Sequence, residues 1–242
     1  MGAPSPARST ASSETSLTAN SAPSFWSPFR YPVYRWLWLA TVAANTGTWM
    51  YNAAAGWLMT SLSPSALLVS LVQVANSLPM FLFALPAGAL ADIIDKRRFI
   101  LALEILIAVV SAVFAALVSL ELVTPGTLLV FMFLIAVFAA LEAPAWQSIV
   151  PQLVPKQDLA PAIAANSVGM NISRAIGPAL AGVIITVLGI AAPFWLNAIS
   201  NVGVIGVFWC AGFRTPAPMM PTTRSGGRRP KSAKARNRGG GS

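Results

Sequence analysis

Apolar runs long enough to cross a bilayer recur along this chain, each closed by a short polar or charged segment, and that repetition excludes most folds outright. A helix needs about 20 mostly apolar residues to traverse roughly 30 Å of hydrocarbon, whereas the strands of a membrane barrel would be shorter and would alternate in polarity. The runs lie at about residues 36–60, 66–91, 99–120, 127–150, 162–190 and 192–213. The expected fold is therefore all-α, a polytopic membrane protein with six transmembrane helices. Charge points the same way: 10% of the 242 residues are charged, against about a quarter in a soluble domain. Histidine is absent and Cys210 is the sole cysteine, which excludes an internal disulfide, a Cys–His zinc site and a histidine proton shuttle. With no metal-ligand cluster, nucleophile–base set or phosphate loop, the expectation is no metal site, no cofactor and no enzymatic activity.

Composition divides the chain into three parts. Residues 1–30 are rich in Ser, Thr, Ala and Pro, bury too little apolar surface to offset ordering entropy, and are expected to be disordered. Residues 31–213 hold the six-helix bundle, and residues 214–242 form a basic, Pro-, Gly- and Ser-rich tail without acidic residues. That tail is expected to be disordered and cytoplasmic, with an electrostatic leaning to anionic lipid; no stacking aromatics accompany it, so specific nucleic-acid binding is not expected. Orientation follows from charge. Arg30 and Arg35 precede span one, Lys96, Arg97 and Arg98 follow span two, Lys156 follows span four, and the basic tail follows span six. Under the positive-inside rule both termini are cytoplasmic, and an even number of crossings agrees.

Polar residues within the spans are the candidate functional groups, because a polar side chain turned to lipid is costly. Asn45, Thr48 and Asn52 share one helical face of span one, and Gln73, Asn76 and Ser77 one face of span two. In span five Asn166, Met170, Arg174 and Pro178 recur every four residues. Such stripes either line a wet cavity or glue helices together. An unpaired charge near the bilayer centre costs on the order of 3 kcal/mol or more, so Glu142 and Arg174 carry the sharpest signal. At about 1.5 Å per residue their depths differ by roughly 8 Å, which allows a pair directly or through a water. Glu142 is then either a proton carrier coupled to its partner or half of a structural ion pair. Glu104, near the start of span three, is expected to snorkel to the interface. Pro79, Pro86, Pro144 and Pro178 fall within spans and are potential kinks.

Between spans two and three, Gly88, Leu90, Asp92, Lys96 and Arg97 resemble the G-x-L-x-D-R-x-G-R-K/R signature of major facilitator superfamily transporters. Ile93 replaces the usual Arg and Asp95 the usual Gly. Gly47-Thr48-Trp49-Met50, Leu85-Pro86-Ala87-Gly88, Ala143-Pro144-Ala145-Trp146-Gln147 and the run from Arg174 to Gly182 are similar to the enterobactin-exporter-like, transmembrane secretion effector branch. The resemblance implies one half of a major facilitator fold in a bacterial inner membrane. It implies efflux of a siderophore- or drug-like small molecule, proton-coupled, with this bundle rocking against a second six-helix bundle around a midplane site. It also implies that Gly88, Leu90, Asp92, Lys96 and Arg97 form a cytoplasmic gate, with Asp92 latching the outward-facing state. Gly177, Pro178 and Gly182 then belong to a helix-packing motif, and Asn45, Thr48, Asn52, Glu142 and Arg174 to the cavity. A second reading is a truncated, non-transporting six-helix membrane protein.

Overall fold

The computed structural model describes residues 24–210, apart from the side chains of Asp92, Val150 and Gln152. The basic tail, residues 1–23 and the last three residues of the sixth expected span lie outside it. Helices α1 (Pro32–Leu62), α2 (Ala66–Ile93), α3 (Lys96–Ser119), α4 (Pro125–Leu153), α5 (Leu159–Leu188) and α6 (Ala192–Cys210) follow one another, and no strand occurs among the described residues. Five of them, α2 to α6, are long and apolar enough to cross a membrane. The 31-residue α1 has the length but carries Asn45, Thr46, Thr48 and Asn52 through its middle.

Local chemistry sets the helix ends. Pro32 and Pro125 open α1 and α4, where a missing backbone N–H costs nothing. Thr124 and Thr127 satisfy each other's backbone donors in a capping box. Asp95 caps α3 by accepting the Arg98 backbone N–H at 3.1 Å. Gly189 closes α5 with φ 88°, a conformation natural only to glycine. Asp158 stands at the N-cap position of α5 but makes no cap bond; its carboxylate accepts the Tyr31 hydroxyl at 2.9 Å instead.

One N-terminal expectation changes. Residues 24–30, assigned to the disordered segment on composition, include a 3-10 turn at Ser27–Arg30. Phe29 there packs edge-on against Tyr34 and Trp38, with ring centroids 5.7 and 5.1 Å away. Aromatic burial of this kind outweighs the Ser- and Pro-rich average.

By principal neighbours the helices run α5, α1, α6, α3, α4, α2, and α1 also touches α2 and α4 to close the ring. Buried apolar side chains form two main clusters. One holds Tyr51, Phe114 and Phe194, and the other holds Leu37, Ile100, Val204 and Phe208. Set among these apolar side chains are buried polar residues, Glu104 and Ser111 on α3 and Asn197 and Asn201 on α6, which form a polar layer in the bundle interior.

Candidate functional site

That middle layer has two parts. On the α1–α3–α6 side, Asn197 is 2% exposed and donates to the Ser111 hydroxyl at 3.0 Å. Thr48 donates to the Asn197 side-chain oxygen at 3.5 Å, and Asn201 to its backbone carbonyl at 2.8 Å. Gly47 makes the approach possible: a Cβ there would lie 3.1 Å from the Asn197 Cα. The buried Asn197 amide thus has both a donor and an acceptor partner, as burial in an apolar surround demands.

On the α3–α4 side, Glu104 and Glu142 are 5% and 6% exposed and lie close to each other, with one Glu104 oxygen lacking a hydrogen-bond partner among the described residues. Trp146, one turn beyond Glu142, donates its indole N–H to the Glu142 carboxylate. The Trp146 ring stands edge-on to Phe208, with centroids 5.5 Å apart. The Arg97 guanidinium donates to the Phe208 carbonyl at 3.0 Å, so contacts run unbroken from the start of α3 through α6 to the acid pair.

These positions revise two expectations. Glu104 does not snorkel: it is buried against Glu142, because α3 turns this face toward α4. Glu142 does not pair with Arg174, because α4 and α5 barely meet and Arg174 lies on the outer face of α5. The Arg174 guanidinium sits over the Trp49 ring, 5.1 Å from its centroid, a cation–π contact across the α1–α5 seam.

Small residues build that seam. Ala165, Gly169, Ser173, Gly177 and Ala181 recur every fourth residue and are buried against α1. Ser173 bonds the Val42 carbonyl at 3.1 Å, Trp38 donates to the Ala165 carbonyl at 3.0 Å, and Tyr34 to the Ala162 carbonyl at 2.9 Å. The stripe expected from the sequence, Asn166, Met170, Arg174 and Pro178, lies one residue further on and is half-buried at Asn166 and exposed beyond it. Gly177 packs closely, its missing Cβ falling 2.5 Å from that of Trp49. Gly182, expected to pack likewise, faces open space with nothing within 4 Å, and Pro178 is exposed.

Asn45 and Asn52 are half-buried on α1, and Thr48 is more open. Gly88 and Leu90 lie in the closing turns of α2, as does the backbone of Asp92, whose side chain is outside the described residues. Lys96 and Arg97 open α3, so the expected gating loop is mostly helix with Ile94 and Asp95 as the link. A Cβ on Gly88 would meet nothing within 4 Å. Sequence reasoning missed Glu104, Ser111, Asn197 and Asn201 as site residues. The spacing of Asn197 and Asn201, four apart in an apolar run, was the available signal.

Apolar helices around a buried pair of acidic side chains define a multi-pass helical membrane protein with titratable groups in its interior. The chain belongs to the transmembrane secretion effector family of the major facilitator superfamily, whose profile matches residues 23–226. It is 31% identical over 157 residues to the staphyloferrin A transporter of Staphylococcus aureus (strain NCTC 8325 / PS 47), covering 63% of this chain and 39% of that protein. It is 27% identical to the multidrug efflux pump Tap of Mycolicibacterium fortuitum over 177 residues, 71% of this chain and 42% of the pump. Macrolide efflux protein A of Streptococcus pyogenes matches at 22% over 171 residues, 70% of this chain and 40% of the relative. The chain thus spans about two fifths of the length of these curated relatives. No solved structure matches it.

Proposed function

We propose that this chain is one six-helix lobe of a secondary active exporter of small molecules, driven by protons that enter and leave the Glu104–Glu142 pair. The observation that carries the reading is a carboxyl pair buried between α3 and α4 in a member of a transporter superfamily. Ionisable groups at membrane depth mark ion pathways when they face the bundle interior. In this reading all six helices cross a bacterial inner membrane, α1 included, because Thr46 and Thr48 in its middle bond to α5 and α6. Both termini are cytoplasmic, and the Lys96–Arg98 turn lies at anionic headgroups. Alternating access needs a second bundle, of this chain or another, and the open backbone at Gly88 with Asp92 beside it is where that bundle seats as the gate closes.

The test is proton flux. The chain, reconstituted in liposomes loaded with a pH-reporting dye, receives an imposed pH gradient with ethidium as trial substrate. Ethidium-dependent proton movement that Glu142→Gln and Glu104→Gln each abolish supports the reading. Equal flux in both variants removes the pair from coupling. The span of two fifths of its relatives favours a second reading, a folded lobe that does not transport alone; a stable monomer with no proton-dependent flux supports that one. Cysteine labelling at position 96 in a Cys210→Ser background fixes the topology, and reaction from the outer side of intact cells refutes it.

A further inference from the structure

Resting on that reading and deepening it, we infer that the α1–α5 face around Arg174 is a binding site for a small anionic solute bearing a carboxylate. Arg174 stands at the middle of the 30-residue α5 and is exposed. No acidic side chain among the described residues pairs with it; its recorded contact is the face of Trp49. The described carboxylates have other places. Asp95 caps α3, Glu104 and Glu142 are buried between α3 and α4, Asp158 accepts Tyr31, and Glu121 lies in the α3–α4 turn.

A ring face holds a guanidinium in place without engaging its five N–H donors, which are shaped for a carboxylate's two oxygens. A guanidinium turned to hydrocarbon at mid-helix is costly, so this face meets water or solute. Its surroundings agree. Asn45 and Asn52 flank Trp49 at helical spacing on α1, both half-buried, and Asn171 lies one turn before Arg174, with its amide nitrogen on the Ser167 carbonyl at 2.8 Å. The α1 amides supply neutral N–H donors beside a single positive charge. Such a site selects an anion, with Trp49 as an apolar floor for its body, and gives a cationic solute no counter-charge.

The experiment measures binding with no gradient applied. Carboxyfluorescein anisotropy is followed against the detergent-purified chain, with cationic rhodamine 123 in parallel and with benzoate and its neutral isostere benzamide as competitors. The site predicts saturable carboxyfluorescein binding displaced by benzoate and not by benzamide. Arg174→Gln weakens it about tenfold or more, the scale of a charged hydrogen-bond pair. Arg174→Lys weakens it less, because an ammonium keeps the charge and loses the fork. Helical circular dichroism and monodisperse elution establish that the variants fold; should Arg174→Gln not fold, the Lys variant and the benzoate–benzamide comparison decide. Equal displacement by benzamide, preference for rhodamine, unchanged binding in a folded Arg174→Gln, or no saturable binding overturns the site. Since proton flux is not read, lost flux with intact anion binding counts against the coupling pair alone. Intact flux without anion binding counts against this site alone.

Discussion

Replacing Gly177 by Ala places a methyl group 2.5 Å from the Trp49 Cβ, 3.3 Å from the Thr46 carbonyl oxygen and 3.4 Å from the Met50 amide nitrogen. All three belong to α1 or the root of its side chain, so no rotamer change relieves the clash and α5 has to move away from α1. Overpacking of this kind costs about 1 to 3 kcal/mol, and opening the seam also strains the Ser173–Val42 bond one turn earlier. Against this stands the gain of about 1 kcal/mol from replacing a mid-helix glycine by alanine. Gly182 supplies the control, being in the same helix with nothing within 4 Å of its Cβ position. Gly182→Ala should therefore keep the whole propensity gain. The pair of variants should differ by about 1 to 3 kcal/mol, a factor of roughly 5 to 150 in the unfolding equilibrium at 1.4 kcal/mol per decade. Unfolding in mixed micelles of rising SDS content, followed by far-UV circular dichroism, measures it. Equal midpoints for the two variants would refute the placement of α5 on α1.

Other expectations follow from the same contacts. Asn197→Ala leaves Ser111 without its donor, and a double-mutant cycle between the two should return a coupling near 0.6 kcal/mol, the scale for such pairs in membranes; a value of zero contradicts the network. Trp146→Phe keeps the packing on Phe208 and removes the N–H held by Glu142, so carbodiimide labelling of Glu142, read by peptide mass spectrometry, should rise severalfold at neutral pH; unchanged labelling denies the bond a role. The hydrogen bond to the Asp158 carboxylate holds the Tyr31 hydroxyl above its ordinary pKa of 10.0. The folded state therefore keeps that proton longer than the unfolded one, so the contribution is complete below about pH 10 and fades as pH rises toward the folded value. Unfolding midpoints should fall more steeply in that alkaline range for the native chain than for Tyr31→Phe.

Helices and their order could be read from hydrophobicity alone, because a bilayer forces backbone groups to pair within a segment. Which face of each helix turns inward could not, since lipid tails are as apolar as a protein core and amphipathic contrast vanishes. The α5 stripe illustrates this. Large and polar residues at 166, 170, 174 and 178 drew attention, yet the packed face is the row of small residues one position earlier. Small size, not polarity, was the informative property there. Glu104 was misjudged for a related reason: depth counted along one helix says nothing about its neighbour across the gap. Its spacing of seven from Ser111, with Ile107, Ala108, Phe114 and Ala115 between and beyond, marks the buried side of α3.

The polar layer that ties α1, α3 and α6 together has a mechanical consequence. Asn197 engages side chains on both of its neighbours, and Arg97 clasps α6 near its last described turn, so these three rods are fastened together. By contrast α2 meets α4 chiefly through apolar side chains such as Val72, Ala75, Leu128 and Met132, while α5 is bonded to α1 through Tyr34, Trp38 and Ser173. In the proposed rocking motion α5 would therefore travel with the α1–α3–α6 unit, and sliding would fall to the apolar contact between α2 and α4.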